Sequence, residues 1–374
     1  MSAAAVMAAA GVAGAAPGAA AGDIVSARPL PEAAQVNVVT LPGAADSVHF
    51  VYRTTGVRNL PATSSGAVYF PAGAPPKGGF PVLAFAHGTV GLADRCSYTT
   101  SGASTKVRDA NFLGTWLRLG YAIVITDYVG LGSTGNHPYM NGPVLAHNLI
   151  DAVKAAVGKY PARLSRKWAA VGVSEGATAT LYAAKAATSY GGNKLDYRGA
   201  VAIGLPAHVE DVLMALGPGT PSVALLPNMT QYALDLLSGL RTSYPELDIN
   251  SYLTPSGRYW IDRAEQLCAN DIMAELNDQA VVLGNLMAKP LAALPNARAL
   301  LAGYLGAPES GYDRPVFIGH GIRDIDVITP GTWLTVAALQ ANHEPVTFHS
   351  YGSDHAGTFT IALRDAIPFV RGIF

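Results

Sequence analysis

The sequence predicts an α/β fold in which a mostly parallel central sheet is flanked by helices and interrupted by an inserted helical cap. From about residue 80 onward, short apolar runs alternate with segments that carry apolar residues at helical spacing, which is typical of a parallel sheet with helices on its faces. Ahead of residue 80, two segments alternate polar and apolar residues, as half-buried antiparallel strands do. Between about residues 206 and 310 this alternation stops.

The strands are predicted from these short apolar runs. Two antiparallel strands are expected first, at 47–55 (SVHFVYRTT) and 65–71 (SGAVYFP), as leading members of the same sheet. The parallel part follows at 81–88 (PVLAFAHG), 121–128 (YAIVITDY), 168–174 (WAAVGVS), 199–204 (GAVAIG), 315–321 (PVFIGHG) and 345–351 (PVTFHSY).

Helices are expected between these strands, each with apolar residues at helical spacing, at 144–159, 175–188, 332–342 and 358–370. The interval 206–310 is rich in Leu, Ala, Met and Pro and contains helix-like pieces at 259–267 and 271–287. About a hundred residues between two strands cannot be a plain loop in a compact domain, so a helical cap is predicted there. The predicted organisation is a signal segment or flexible tail (1–22), two parts of an α/β core (23–205 and 311–374) and the cap or lid between them (206–310).

Composition excludes some functions. The chain has 374 residues, of which 14% are charged, and its formal net charge at pH 7 is −1. Nucleic acid is not an expected partner, because phosphate binding requires clustered Lys and Arg that the sequence lacks. The longest uncharged stretch, 212–234, is interrupted by Pro218, Pro221 and Pro227. No transmembrane segment is therefore expected.

The first 21 residues (MSAAAVMAAAGVAGAAPGAAA) carry no charge and end in small residues, as the apolar core and cleavage region of a secretory signal do. No Lys or Arg precedes Arg28, so a flexible Ala/Gly tail is the alternative, and export is the preferred interpretation. The two cysteines, Cys96 and Cys268, fit neither a CxxC redox pair nor a zinc site. We expect them to pair in an exported protein, with two buried free thiols as the alternative.

Residues 171–177 (VGVSEGA) contain the pattern G-x-S-x-G between a predicted strand and a predicted helix. In this context the pattern predicts a nucleophile elbow, a sharp turn that presents a serine, here Ser174, at the end of a strand. The serine backbone is strained in such a turn, and side chains two residues to either side would clash with neighbouring backbone, which explains Gly172 and Gly176. The pattern alone is weak, and a structural turn serine is the alternative.

A serine hydroxyl needs a neighbouring base, and in folds with such an elbow an acid and a histidine follow on later loops. Asp324 comes after the predicted strand 315–321, and His355 comes after 345–351. Because both loops leave the carboxyl ends of parallel strands, we expect the three side chains to converge at one edge of the sheet. Asp326 is an alternative acid, and Asp324 is preferred because it lies nearer the strand end.

The other histidines have structural interpretations. His87 and His320 each precede a glycine at the end of a predicted strand and are expected to shape those turns, while His349 lies within a strand. Of the nine histidines, only His355 has the position that the triad requires.

The tetrahedral intermediate of acyl transfer needs preorganised hydrogen-bond donors for its oxyanion. We expect one donor to be the main-chain N–H of Glu175, the residue after the serine. The second is expected from the loop 87–91 (HGTVG), where the N–H of Thr89, with its hydroxyl as a further option, is suitably placed; a glycine-rich turn without a role is the alternative. A carboxylate at 175 would be unfavourable beside a developing negative charge unless it points away or is paired.

Five segments, taken in order, resemble the secretory lipase family of the α/β-hydrolase superfamily, the group that includes fungal lipase A and actinobacterial relatives. The resemblance spans roughly residues 35–374. Family members more often have Gln where Glu175 stands and His where Val173 stands. The five segments are AFAHGTVGLADRC (84–96), GYAIVITDYVGLGSTGNHPYMNG (120–142), GVSEGA (172–177), HGIRDIDV (320–327) and GSDHAGTF (352–359).

This resemblance implies a capped esterase or lipase of the α/β-hydrolase fold with a Ser-Asp-His triad. Carried over to this sequence, the triad is Ser174, Asp324 and His355. It also implies a disulfide near the oxyanion loop, which Cys96 and Cys268 could form.

The expected function is that of an exported serine carboxylester hydrolase, a lipase or esterase that forms an acyl-enzyme with lipid-like or other apolar acyl esters. A cap rich in Leu, Met and Ala suits an acyl chain better than a charged substrate. Small-molecule or lipid esters are the expected partners, with a lipid–water interface as a further candidate. No metal or cofactor is expected, since acyl transfer of this kind requires none. Two alternatives stay open: an acyltransferase that uses the same acyl-enzyme, and a non-catalytic binding protein on a hydrolase fold.

Overall fold

The computed structural model of the protein describes residues 20–30, 41–102, 106–221 and 228–374. Within these residues the central feature is a nine-stranded sheet with the order β1-β2-β3-β5-β4-β6-β7-β8-β9. Its strands are β1 (Ile24–Pro29), β2 (Ala44–Thr55), β3 (Pro61–Pro71), β4 (Phe80–Ala86), β5 (Ala122–Thr126), β6 (Leu164–Val173), β7 (Asp196–Ile203), β8 (Val316–Gly321) and β9 (Val346–Tyr351).

The sheet is antiparallel at one edge and parallel elsewhere. The pairs β1·β2, β2·β3 and β3·β5 are antiparallel, and every other pair, from β5·β4 to β8·β9, is parallel. All residues of β5 and β8 are buried, as expected for strands that are covered on both faces and therefore read as continuous apolar runs. The predicted α/β class with a mostly parallel sheet is confirmed.

Helices on the two sides of the sheet bury the apolar strand residues. α2 is long and mostly buried, and it packs on α3, which directly follows the elbow serine. These helices are α1 (Lys106–Arg118), α2 (Gly142–Lys159), α3 (Glu175–Gly191), α10 (Thr329–Ala341), α11 (His355–Ile361) and α12 (Leu363–Ile373).

Between β7 and β8 the described residues form α-helices and contain no strand. We call these six the insertion helices: α4 (Val209–Met214), α5 (Met229–Ser243), α6 (Pro255–Ala264), α7 (Ala269–Asp278), α8 (Leu283–Leu286) and α9 (Ala297–Leu305). They pack around a hydrophobic cluster that is separate from the main core and includes the fully buried Leu234, Ile261 and Ile272. The amphipathic faces of these helices thus cover one another.

The predicted helices 271–287 and 358–370 are wrong in extent. The first prediction spans two helices, because the chain turns through Ala280, with φ of 47°, and the β-branched Val281 and Val282 disfavour a helix. The second also covers two helices, α11 and α12, which meet at Ala362; Pro368 within α12 has no N–H to donate to the preceding turn. Strand β1 and helix α1 are not predicted from the sequence.

A disulfide joins Cys96, in the segment that follows β4, to Cys268, the N-cap residue of α7. Main-chain hydrogen bonds reinforce this connection: Ala269 N donates to Val90 O at 2.9 Å, and Leu92 N donates to Leu267 O at 3.2 Å. The pairing expected from the sequence is therefore present. It ties the loop after β4 to the insertion helices.

The signal-like residues 1–21 lie almost entirely outside the described residues. In the part of the chain that is described, no helix combines the length and the apolar character needed to cross a membrane.

Candidate active site

Ser174 lies at a strained turn between β6 and α3. Its backbone angles are φ 56° and ψ −125°, a positive φ that is uncommon for a residue with a Cβ and that indicates strain held in place by the surrounding fold. Its N–H donates to Ile203 O at 2.9 Å, which fixes the turn against the end of β7. A Cβ at Gly172 would collide with the carbonyl oxygen of Gly176, and one at Gly176 would collide with that of Ala86. The turn therefore requires both glycines.

Asp324 lies on the loop that follows β8, His355 is the first residue of α11 after β9, and their side chains form a hydrogen bond. Nδ1 of His355 is 2.6 Å from Oδ2 of Asp324. Because a carboxylate accepts, Nδ1 carries the hydrogen and Nε2 remains available as a base. Oδ1 of Asp324 accepts the main-chain N–H groups of Asp326 (3.0 Å) and Val327 (2.8 Å), so the carboxylate is held on both oxygens. Both side chains are almost fully buried.

The imidazole of His355 reaches the same strand end as the elbow. A Cβ placed on Gly204 would lie 2.9 Å from Cε1 of His355, so the ring packs directly on this glycine. The preceding residue, Ile203, accepts the N–H of Ser174. Two adjacent residues at the end of β7 thus contact the elbow on one side and the histidine on the other.

Asp326 has a different environment from Asp324. Its Oδ1 accepts from Nδ2 of Asn228 at 2.6 Å and from the hydroxyl of Tyr232 at 3.2 Å. Both partners belong to the start of insertion helix α5. Asp326 therefore connects the loop after β8 to the insertion helices, while Asp324 holds the imidazole.

The loop after β4 passes directly beside the serine. His87 is fully buried between the rings of Tyr98 (centroids 4.8 Å apart) and Tyr128 (4.5 Å), and the Tyr128 hydroxyl donates to His87 O at 3.2 Å. A Cβ on Gly88 would lie 3.1 Å from the Cβ of Ser174. The aromatic packing of His87 thus fixes the loop beside the serine, and Thr89 is the residue that follows Gly88 in this loop.

Two main-chain donors are available around this point. The N–H groups of Thr89 and Glu175 have no acceptor within the described residues. Glu175 is the first residue of α3, where helix N–H groups are unpaired and the helix dipole is positive. Unpaired N–H groups beside a serine can stabilise a negatively charged oxygen.

The Glu175 carboxylate is paired with a histidine. Oε1 of Glu175 lies 3.0 Å from Nε2 of His137, and both side chains are buried. Nδ1 of His137 lies 3.0 Å from Val129 O, which can only accept, so Nδ1 carries a hydrogen. The Glu175 carboxylate therefore has a buried hydrogen-bonding partner in the imidazole of His137. A carboxylate at position 175 is unfavourable beside a developing negative charge unless it is paired, and Glu175 is paired.

Sequence reasoning missed His137 and Tyr139 as contributors to this site. Both lie in the segment GNHPYMNG (135–142), where Tyr139 Oη is 2.6 Å from Thr89 Oγ1. Their position in the sequence could have indicated this role, since they follow the carboxyl end of β5 and open α/β sheets hold their sites outside the carboxyl ends of the strands.

A cavity of about 130 Å³ opens beside Ser174. It lies between the end of the sheet, the loop after β8 and insertion helices α4 and α5, and its lining is mostly apolar. Such a lining suits an aliphatic group rather than a charged one. The lining residues are Tyr139, Met140, Ser174, Pro206, Ala207, Val209, Val212, Leu213, Leu216, Met229, Tyr232, Ala233, Leu236, Ile325, Asp326, Val327 and Ile328.

The family model described as Secretory lipase matches residues 97–302, more than half of the chain. The chain belongs to the secretory lipase family. The protein is a carboxylester hydrolase, and its substrates are small-molecule esters. No curated protein matches its sequence.

Solved structures that are similar to this chain share its fold. Candida antarctica lipase A in its closed state superimposes with a TM-score of 0.74 at 22% identity, covering 94% of this chain and 82% of that one. A ligand-bound form of the rice cell wall degrading esterase LipA from Xanthomonas oryzae has a TM-score of 0.72 at 18% identity, with 94% and 98% covered. A putative hydrolase from Legionella pneumophila has a TM-score of 0.74 at 18% identity, again with 94% and 98% covered. The fold is that of the lipase A-like α/β-hydrolases.

Proposed function

We propose that this protein is an exported serine carboxylester hydrolase that uses Ser174 as nucleophile, His355 as general base and acid, and Asp324 as the acid that orients the imidazole. The single observation that carries the proposal is the hydrogen bond between His355 and Asp324, formed at the strand end that also holds the strained serine. A base oriented by a carboxylate next to a serine at an elbow is the arrangement that nucleophilic acyl transfer needs.

In the first half-reaction, Oγ of Ser174 attacks the ester carbonyl carbon while its proton moves to Nε2 of His355. The carbonyl π electrons pass to the oxygen, which becomes the oxyanion of a tetrahedral intermediate. Collapse of this intermediate breaks the bond to the alkoxy oxygen, which leaves as the alcohol with the proton from His355. Asp324 stabilises the imidazolium that exists between these two transfers.

In the second half-reaction, water attacks the acyl-enzyme carbonyl and gives a proton to Nε2 of His355. The second tetrahedral intermediate expels Oγ of Ser174, which regains the proton. The carboxylic acid is released and the enzyme returns to its starting state, so no external oxidant, metal or cofactor enters the balance.

The oxyanion of both intermediates is assigned to the main-chain N–H groups of Thr89 and Glu175. Each lacks an acceptor within the described residues, and each belongs to a segment that contacts the elbow. A donor of this kind typically contributes about 10²- to 10³-fold to kcat. The Glu175 side chain is itself occupied by its contact with His137.

The substrate is proposed to be an ester with an apolar acyl group. The cavity beside Ser174 offers aliphatic side chains from α4 and α5 and few polar groups. Export is proposed from the family to which the chain belongs and from its disulfide, since disulfides persist mainly in oxidising compartments.

Labelling with a fluorophosphonate probe tests the nucleophile. We expect one covalent adduct at Ser174, and its loss in Ser174→Ala and His355→Ala, with kcat on p-nitrophenyl butyrate lowered by several orders of magnitude. Ser189→Ala and His343→Ala, at exposed positions away from the site, are matched controls that should label like the wild type. A folded protein without an adduct at Ser174 would refute the proposal.

Product analysis in buffer with a competing alcohol tests the hydrolytic half-reaction. Hydrolysis predicts the free acid as the main product. Predominant transfer to the alcohol would instead show an acyltransferase.

A further inference from the structure

Two hydroxyl groups meet beside the elbow serine. Oγ1 of Thr89 and Oη of Tyr139 are 2.6 Å apart, a short hydrogen bond. Neither hydroxyl has another hydrogen-bond partner within the described residues. Two hydroxyls hold two hydrogens and share one of them, so one hydrogen remains free to donate elsewhere.

The chemistry of the two groups decides which hydrogen is free. A phenol is a stronger donor and a weaker acceptor than an aliphatic alcohol, so Tyr139 donates to Oγ1 of Thr89. Burial raises the pKa of Tyr139 well above its usual value, so the phenol keeps its hydrogen throughout the neutral range. The free hydrogen is then that of the Thr89 hydroxyl.

We propose that the Thr89 hydroxyl is a third donor to the oxyanion and that Tyr139 is the positioning residue that aims it. This inference rests on the proposed function and deepens it. Gly88, the neighbour of Thr89, packs on the Cβ of Ser174, and Tyr139 lines the same cavity as Ser174. The hydroxyl thus belongs to the residue that follows the closest neighbour of Ser174, the side chain whose attack makes the ester carbonyl oxygen negative.

Tyr139 is held rigidly enough for this task. Its ring is almost fully buried, and its main-chain oxygen accepts the hydroxyl of Tyr304 from insertion helix α9 at 2.7 Å. Two residues earlier, His137 binds the Glu175 carboxylate. One short segment thus contacts both residues proposed to bind the oxyanion: Tyr139 is hydrogen-bonded to Thr89, and His137 is hydrogen-bonded to Glu175.

Steady-state kinetics on p-nitrophenyl butyrate with a double-mutant cycle tests this assignment. Thr89→Val removes the hydroxyl at constant shape, and we expect kcat to fall about 100-fold with KM within threefold. Tyr139→Phe should lower kcat about tenfold in the wild type and should have no further effect in Thr89→Val, because it acts through that hydroxyl. Thr89→Ser should rescue most of kcat.

Inhibition by n-butylboronic acid separates this role from a merely structural one. Its tetrahedral adduct with a serine carries an anionic oxygen, so Ki should rise in each variant by the factor by which kcat/KM falls. Tyr312→Phe is the matched control: it removes a buried phenol hydroxyl that bonds Pro308 O at 2.6 Å and contacts neither Thr89 nor Tyr139, and both Ki and kcat should stay within about threefold of the wild type.

Either of two results would overturn the inference. One is a Thr89→Val variant, folded by circular dichroism, that keeps kcat within threefold. The other is a Tyr139→Phe effect that is equal in the wild-type and Thr89→Val backgrounds. If Thr89→Val fails to fold, kcat of Thr89→Ala, which lacks the hydroxyl, is compared with kcat of Thr89→Ser, which keeps it. Fluorophosphonate labelling of Ser174 in each variant keeps a failure here distinct from a failure of the proposed function.

Discussion

Replacing Asp235 by Asn should flatten the dependence of this protein's stability on pH. Asp235 lies on insertion helix α5 with no solvent exposure. Its Oδ2 accepts from Nε2 of Gln231 at 3.2 Å, while its Oδ1 has no partner within the described residues. Burial raises the pKa of Asp235 from 3.8 to about 8, and the negative charge of Glu175 acts in the same direction. The folded enzyme therefore holds Asp235 protonated at neutral pH.

The magnitude follows from proton linkage. A raised pKa in the folded state stabilises the protein fully below the unfolded pKa near 3.8, and this contribution is lost as pH rises towards about 8. Across that window the unfolded chain has released a proton that the folded protein keeps. The free energy of unfolding then falls by about 1.4 kcal/mol for each pH unit, which amounts to about 3 kcal/mol between pH 5 and pH 7.5.

Urea unfolding followed by intrinsic fluorescence at several pH values between 5 and 8 measures this slope. Asn at position 235 keeps an acceptor for Gln231 and an NH₂ group in place of the carboxyl O–H, so the variant imitates the protonated acid at every pH. We expect the difference in unfolding free energy between Asp235→Asn and the wild type to grow with pH by the amount given above. Asp278→Asn, an exposed carboxylate at the end of α7, is the matched control and should parallel the wild type. Equal pH slopes for wild type and Asp235→Asn would refute the reasoning.

Three further predictions concern the acid, the disulfide and the cavity. Asp324→Asn should lower kcat about 10³- to 10⁴-fold because the imidazole loses its orienting carboxylate, whereas Asp326→Asn should stay within about tenfold; the reverse order in kinetics would reject the assignment. Replacing Cys96 and Cys268 by Ser removes a disulfide that joins residues 172 positions apart in the sequence. The free energy of unfolding should fall by up to about 5 kcal/mol. An unchanged midpoint in urea unfolding would contradict this prediction. A cavity of about 130 Å³ is close to the size that holds a benzene molecule, so p-nitrophenyl butyrate should be a better substrate than p-nitrophenyl palmitate. Leu213→Ala enlarges the cavity and should shift the preference to longer acyl chains. An unchanged chain-length profile would contradict this prediction.

Local pattern was sufficient for much of the fold and for the proposed catalytic residues. The apolar runs that became β4 to β9 were recognisable because a parallel strand is buried on both faces and therefore has few polar positions. The elbow was recognisable because its turn admits only glycine at two fixed positions. The order of the loops after β8 and β9 then pointed to Asp324 and His355, since parallel strands end at a common edge.

The insertion helices show where local pattern is insufficient. Helical spacing predicted a single helix over 271–287, but the chain divides at Ala280 so that both pieces can cover one hydrophobic cluster. The contacts of Asp326 with Asn228 and Tyr232 bridge about a hundred residues, and nothing near Asp326 in the sequence indicates them.

The chain alone was enough to predict the segments that form β2 to β9, the place of the serine turn and the loops in which Asp324 and His355 lie, because those features depend on neighbours within a few residues. The partners of Glu175 and Thr89 and the protonated state of Asp235 depend on groups brought together from distant segments. Hydrogen bonds and desolvation act only over a few ångströms in space, so these features exist only once the sheet and the insertion helices have packed.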